Sequence, residues 1–394
     1  MADENAKPQR KIRVGVIFGG RSGEHEVSLQ SAKSVMAALN PDKYEVVPIG
    51  ITREGRWLTG DAMAALADGR WLTGDAMAAL TEASATTQPA TLLPDPQSSA
   101  LMRVELVETK PASLSAVTEL DVIFPVLHGP YGEDGTVQGL LELANLPYVG
   151  AGVVGSAVGM DKGIFKQVMV ANDLPVLPWR LFLARTWDRQ PQAVLDEVEA
   201  RLSYPVFTKP ANLGSSVGVS KCRNRKELAA GLAEAARYDR RIIVEQGINA
   251  RELEVSVLGN DDPIASVVGE IRPRREFYDY IAKYVSDDSE LIIPAELEPS
   301  VADQVRDMAV RAYRAIDCAG LARIDFLMDK DSGRLYMNEI NTIPGFTHIS
   351  MYAKLWQAAG VSYSELLDRL VELALERHEE KEKLKKTYEV EDET

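Results

Sequence analysis

The sequence predicts an α/β protein whose first domain is a parallel sheet and whose remainder mixes helices with antiparallel strands. Three observations carry this. Apolar runs at 12–18, 45–51, 121–127 and 147–149 read as strands and alternate with helical patterns, the order of a parallel sheet whose crossovers are helices. Gly19, Gly20 and Gly23 break the first run just before a helical pattern at 26–39, where Val27, Val35, Met36 and Leu39 share a face. Farther on, residues 322–328 and 334–341 alternate on either side of DKDSG, the pattern of an antiparallel hairpin.

At 394 residues, 45% hydrophobic and 26% charged, the chain has the length of two or three domains with substantial cores. The first is expected to end near Gly152. A second holds a helix around 161–172, a strand at 205–209, the run NLGSSVGVS, a helix around 227–237 and a strand at 241–246. A third begins near Gly247, with a strand at 252–258, a long helix at 300–315 and the hairpin. The last helix starts at Ser362 or Ser364: Ser362 and Glu365 have the spacing of a capping box, and Leu366, Leu370, Leu373 and Ala374 share a face. Beyond Arg377 the sequence is charged without a regular apolar face, which predicts a frayed tail. GRWLTGDAMAAL occurs at 55–66 and again, letter for letter, at 69–80. Two copies are too few for a solenoid and fit a tandem duplication in a tolerant surface segment.

Lys and Arg number 44 against 59 Asp and Glu, a net charge of −15 that repels nucleic acid and anionic membrane. Any phosphate ligand must then be held by a few local cations. Cys222 and Cys318 match neither a metal-ligand spacing nor a disulfide framework, which fits a reducing cytoplasm. The opening MADENAKPQRK has no apolar core of a signal segment, and nowhere do eighteen apolar residues run together. A cytoplasmic protein without a membrane partner is expected.

The hairpin within 320–345 draws most interest. A register symmetric about Asp331 would set Arg323 opposite Glu339 and Asp325 opposite Met337. Alternation then sends Arg323, Asp325, Glu339 and Asn341 to one face and Ile324, Phe326, Met328, Tyr336 and Ile340 to the other. The polar face either meets water, as one side of many antiparallel sheets does, or holds a hard cation. Two carboxylates and an amide oxygen, with no histidine or thiol beside them, suit Mg²⁺.

Lys209, ending an apolar strand and followed by PANLGSSVGV, fits a loop whose Gly214 and Gly218 let backbone N–H groups approach a polyphosphate. A plain glycine-rich turn reads the same way. The lysine precedes the glycines, so this is not a Walker motif, and GGRSGEHE does not have the dinucleotide spacing.

The segments FGGRSGEHEVSLQSA, FPVLHGPYGEDGTVQG, MDKGIFK, KPANLGSSVGVSK, VEQGINARELEV, FYDYIAKY, ARIDF and MNEINTIPGFTHISMY occur in order between about Lys11 and His378. In that order and spacing the sequence resembles the D-alanine:D-alanine ligases, members of the ATP-grasp superfamily. The resemblance implies a three-domain ATP-grasp architecture: an N-terminal Rossmann-like domain at 1–152, a central domain at 153–246, and a C-terminal domain at 247–378 that carries the metal site and a lid, followed by a charged tail at 379–394. It implies ATP-dependent joining of two D-alanine molecules through an acyl phosphate, for peptidoglycan precursor synthesis, by a homodimer. The alternative within the family is a ligase making D-alanyl-D-lactate or D-alanyl-D-serine.

Position by position, the resemblance makes Asp325, Glu339 and Asn341 ligands of two Mg²⁺ ions, with Mn²⁺ as a substitute, and Lys162, Lys209 and Lys283 contacts to the phosphates of ATP. Glu245 and Ile248 would meet adenine, largely through backbone, and Glu252 the ribose. Glu26 would accept the ammonium of the first D-alanine, with His128 close by. Ser215 and Tyr284, with Glu26, would tie a loop across the site, and the lid around FYDYIAKY would exclude water. Arg323 and the backbone N–H of Gly345 would bind the oxyanion, and Ser350 the second carboxylate. Tyr284 stands where lactate-using relatives tend to place a histidine, which favours the dipeptide.

Overall fold

The computed structural model describes residues 10–60, 88–107, 110–273 and 289–386. Three sheets organise the chain. The first contains β1 (Ile12–Gly19), β2 (Tyr44–Ile51), β3 (Trp57–Thr59), β4 (Gln88–Leu92), β5 (Ala100–Val107), β6 (Lys110–Glu119) and β7 (Val122–Val126), in the order β6-β5-β4-β3-β2-β1-β7. Only one end of it is parallel: β1 lies parallel to β2 and to the edge strand β7, whereas β2 through β6 pair antiparallel. The all-parallel expectation is corrected on the other side, where each strand pairs antiparallel with the one before it. The expected strand at 147–149 is a single parallel bridge between Ile123 and Tyr148.

β1 lies between β2 and the edge strand β7 and is covered on both faces, so its run is continuously apolar, with Val14, Val16, Ile17 and Phe18 fully buried. Helix α1 (His25–Ala38) packs Leu29, Ala32, Val35 and Met36 inward, while Val27 is left half-buried. Helices α2 (Thr136–Leu143), α3 (Val153–Met160) and α4 (Lys162–Ala171) follow β7. Asp161 caps α4, accepting from the N–H groups of Gly163 and Ile164 at 3.0 and 2.9 Å.

The second sheet, β10-β9-β11-β8, is antiparallel throughout. It is made of β8 (Trp179–Leu183), β9 (Val206–Pro210), β10 (Ser220–Cys222) and β11 (Arg241–Gln246), with helices α5 (Ala184–Arg189), α6 (Pro191–Arg201) and α7 (Arg225–Ala235) between them. Its core of Val194, Val198, Leu228, Leu232, Ile242 and Val244 is its own.

The third sheet runs β14-β13-β12-β15-β16 and comprises β12 (Ala250–Gly259), β13 (Ile264–Pro273), β14 (Ser289–Ile292), β15 (Gly320–Asp329) and β16 (Leu335–Asn341). Helix α8 (Pro299–Ala315) buries Val305, Met308, Ala309 and Ala312 against Leu253, Val255, Ile324 and Phe326. The chain ends in α9 (Met351–Ala358) and α10 (Tyr363–Glu382).

The β15–β16 register differs from the symmetric expectation. Arg323 lies opposite Asn341 and Asp325 opposite Glu339, then a bulge shifts the pairing so that Phe326 meets Met337. The extra residue in β16 reverses its alternation beyond the bulge. Leu335, Met337 and Ile340 are therefore the buried residues of β16, and Tyr336 lies half-buried beneath the Arg334 guanidinium, 5.5 Å from its ring centroid. On the site side of the bulge Arg323, Asp325, Glu339 and Asn341 still share one face.

Helix α10 begins where the capping box predicts, with Ser362 Oγ accepting from the Glu365 N–H at 3.3 Å. It does not fray at Arg377. That side chain donates to the carbonyls of Tyr148, at 3.0 Å, and Gly150, and Lys381 pairs with Glu142, which carries the helix on to Glu382. Val14, Phe18 and Phe124 of the first sheet consequently share one core with Phe346, Trp356, Leu366 and Leu370. Residues 61–66 and 69–80, most of the duplicated segment, lie outside the described residues, as do 387–394 of the expected tail. Among the described residues no helix is long and apolar enough to cross a membrane.

Candidate active site

A cavity of about 1050 Å³ opens where α1, the loop after β7, the turn after β9 and the β15–β16 face meet. Of the residues expected at a site, Glu26, Lys162, Ser215, Arg323, Glu339, Asn341, Gly345 and Ser350 line it. Asp325 stands just behind: Arg323 donates to both its oxygens, each at 2.7 Å, and Asn341 Nδ2 donates to one at 3.0 Å. Arg323 also reaches Glu254 at 3.0 Å. Burial works against the Arg323 charge, but Asp325 and Glu254 outweigh it and hold the guanidinium firmly protonated. Across the cavity Lys162 donates to the Leu213 carbonyl at 2.8 Å and stands 3.5 Å from Glu339.

This face has the donors a magnesium ion takes. Glu339 and Asp325 are cross-strand partners, and the amide of Asn341, turned by its N–H toward Asp325, completes a set of hard oxygens. Among the described residues no three His, Cys, Asp or Glu side chains converge as a closed cage. Two carboxylates and an amide suit a cation that completes its shell with water and phosphate oxygens.

The acid at the mouth of α1 requires a correction. Ser215 donates to Glu24, not to Glu26. Glu26 lies at the rim of the cavity, paired from the first helical turn with Arg53 at 2.7 Å, and both side chains are about half exposed, at 49% and 50%. Glu24 is 8% exposed and sits where two glycines make room. A Cβ at Gly129, whose φ is +78°, would fall 2.7 Å from Glu24 Oε2, and one at Gly214 would fall 2.9 Å from it. The acids are two positions apart, about half a helical turn, so the chain's entry into α1 buries one and leaves the other at the rim.

Around Glu24 the first-domain loop is closely tied. His128 bridges Ser31 Oγ, at 3.0 Å, and the Ile343 carbonyl, at 2.9 Å, and its burial keeps the ring below the usual histidine pKa. Glu133 accepts from the Gly129 N–H at 2.6 Å, and burial together with the charge of Glu24 pushes its carboxyl well above the ordinary range. On the far wall Ser350 Oγ accepts from the Thr347 N–H at 3.0 Å, in a turn where a Cβ on Gly345 would come within 3.4 Å of it.

The remaining expected residues among those described lie outside this cavity's lining. Lys209 projects from β9 onto Glu245 of β11. The other oxygen of Glu245 is held by Lys166 of α4, whose side chain is 1% exposed. Burial alone would raise the Glu245 pKa, but the two lysines bring it down to about 2. Ile248 follows β11, and Glu252 shares a face of β12 with Glu254. Lys283 and Tyr284 lie outside the described residues. Sequence reasoning missed Glu24, Glu133, Lys166 and Glu254. Lys166 had one signal: it follows Lys162 by one helical turn in MDKGIFK.

A family model described as D-ala D-ala ligase N-terminus matches residues 13–151, and one described as D-ala D-ala ligase C-terminus matches 168–372. The chain is 52% identical over 373 residues to a D-alanine–D-alanine ligase of Heliobacterium modesticaldum, covering 95% of this chain and 97% of that one. It is 48% identical over 383 residues to a D-alanine–D-alanine ligase of Geobacillus thermodenitrificans, covering 96% and 100%. Among solved structures, the D-alanine-D-alanine ligase of Coxiella burnetii superposes with a TM-score of 0.78 at 36% identity, over 95% of this chain and 97% of that one. The VanG D-Ala:D-Ser ligase of Enterococcus faecalis superposes with a TM-score of 0.78 at 34% identity, over 93% and 100%. With both halves of the family matched and the fold shared from first sheet to last helix, the chain belongs to the D-alanine–D-alanine ligase family.

Proposed function

We propose that this protein joins two D-alanine molecules into D-alanyl-D-alanine, a peptidoglycan precursor, using ATP. The observation that carries the reading is the pairing, in one cavity, of the buried Glu24 carboxylate with the Arg323, Glu339 and Asn341 face opposite. An ammonium at one end and a reacting carboxylate at the other is how an amino acid would lie between them.

Glu24, rather than Glu26, takes the ammonium of the first D-alanine, and Ser215 with Tyr284 closes over it. ATP, when bound, supplies the phosphoryl group that activates the first carboxylate. Lys162, Lys209 and Lys283 neutralise its phosphates, Glu245 and Ile248 meet adenine, and Glu252 meets ribose. Asp325, Glu339 and Asn341 hold two Mg²⁺ ions, or Mn²⁺ in their place. Arg323 and the N–H of Gly345 receive the charge that develops on the carbonyl oxygen, and Ser350 holds the second D-alanine by its carboxylate. The residues do little covalent chemistry: they align two small molecules, exclude water and balance charge. We place the protein in the cytoplasm as a homodimer, with domains dividing near 152 and 246, close to the joins between the three sheets.

Incubation of the purified protein with ATP, Mg²⁺ and D-alanine is expected to release phosphate and give the dipeptide mass, with D-serine and D-lactate as poorer second substrates. No phosphate release with any of the three would end the ligase reading. Preferential release with D-serine would favour a D-alanyl-D-serine ligase, the activity for which the VanG enzyme of Enterococcus faecalis is named.

A further inference from the structure

Lys166 reaches no part of the cavity lining, yet it is among the largest fully buried side chains of the protein. A lysine is seldom placed so, because its ammonium loses hydration. What compensates it is Glu245, itself 3% exposed, whose two oxygens are divided between Lys166 on one side and Lys209 on the other. The three side chains come from α4, β11 and β9, the last being the strand that leads toward the turn carrying Ser215.

The charge count is the informative part. Lys209 and Glu245 alone would be a neutral pair, and an approaching polyphosphate would meet almost no net charge there. With Lys166 included, two lysines share one carboxylate: burial lowers the Lys166 pKa, the ion pair with Glu245 works against that shift, and with both lysines protonated the cluster keeps one net positive charge. We propose that Lys166 is a positioning residue for nucleotide phosphates: it occupies one oxygen of Glu245 and offsets its charge, so that Lys209 confronts the phosphates as an uncancelled cation. This rests on the reading of Lys209 as a phosphate contact.

The test is binding to the full-length protein, measured by calorimetry with ATP, ADP and adenosine in the presence of Mg²⁺, without D-alanine. Lys166→Met should weaken ATP by about tenfold, the effect of one charge across a partly screened interior. ADP should weaken less, and adenosine should stay within about twofold, because only the phosphates sense the charge. Lys166→Gln, which leaves a polar partner for Glu245, should behave like Met.

A structural role predicts a different set: equal losses for adenosine and ATP, and rescue by glutamine. Either of these overturns the proposal, as does unchanged ATP binding by Lys166→Met. Should the methionine variant fail to fold, the glutamine variant decides the matter. Failure of the unmodified protein to bind ATP would instead strike at the ligase reading itself, which separates the two.

Discussion

Glu339→Gln is expected to lower kcat by roughly 10³-fold while the protein keeps its fold, a loss of the size seen when a group that stabilises transferring charge is removed. Glu339 lies opposite Asp325 in the hairpin and faces Lys162 at 3.5 Å, at the edge of the cavity. The amide is isosteric, so β16 and its neighbours have no steric reason to move. What changes is charge: one hard anionic oxygen fewer for a cation, and a lysine left without its partner. Phosphate release with saturating ATP and D-alanine, beside a thermal melt, checks it. A variant turning over within tenfold of the unmodified protein would remove Glu339 from the metal site.

The second large effect is a contrast between two acids in one short motif. Glu24→Gln is expected to cost roughly 10²–10³-fold in kcat/KM for D-alanine, since a buried charged partner of a ligand ammonium is worth about 2–5 kcal/mol. Glu26→Gln removes only the exposed pair with Arg53, worth about 1 kcal/mol or less, and should leave kcat/KM within about fivefold. Measuring both variants against D-alanine at saturating ATP decides the assignment. The opposite order, with Glu26 the sensitive residue, would restore the reading taken from sequence.

That contrast also marks the limit of legibility. Helix α1 and its face could be read because a 3.6-residue period is strong, but GEHE offers two acids at a helix start and only packing selects one. The glycines that enclose Glu24, Gly129 and Gly214, come from loops more than eighty residues apart. β1, β2, β7, β15 and β16 were legible from apolar runs and alternation. β5 and β6 were not, for Leu106, Val107, Leu114 and Val117 stay exposed and the hairpin has little buried face to imprint a period. The hairpin register was misread because a bulge is an extra residue that no alternation announces. The ligand-bearing face survived the error, since the shift between expected and actual register is two residues there and parity is unchanged. Lys166 was hidden for another reason: in sequence, a lysine held in the interior looks like any surface lysine.

The shared core of the first sheet and the last helix sets the order in which this protein can be completed. Val14, Phe18 and Phe124 are made more than two hundred residues before Phe346, Trp356, Leu366 and Leu370, which share their core. Synthesis therefore leaves the part of this face that α1 does not cover open until residues 346–370 have emerged, and the contacts from β1 that close it span more than three hundred residues. The four-stranded unit, with a core drawn from 182–244, and the opposite face of the first sheet, with a core drawn from 17–148, can pack on the way. The cavity walls formed by α1 and the 344–351 turn therefore come together late, with the segment that contains Phe346.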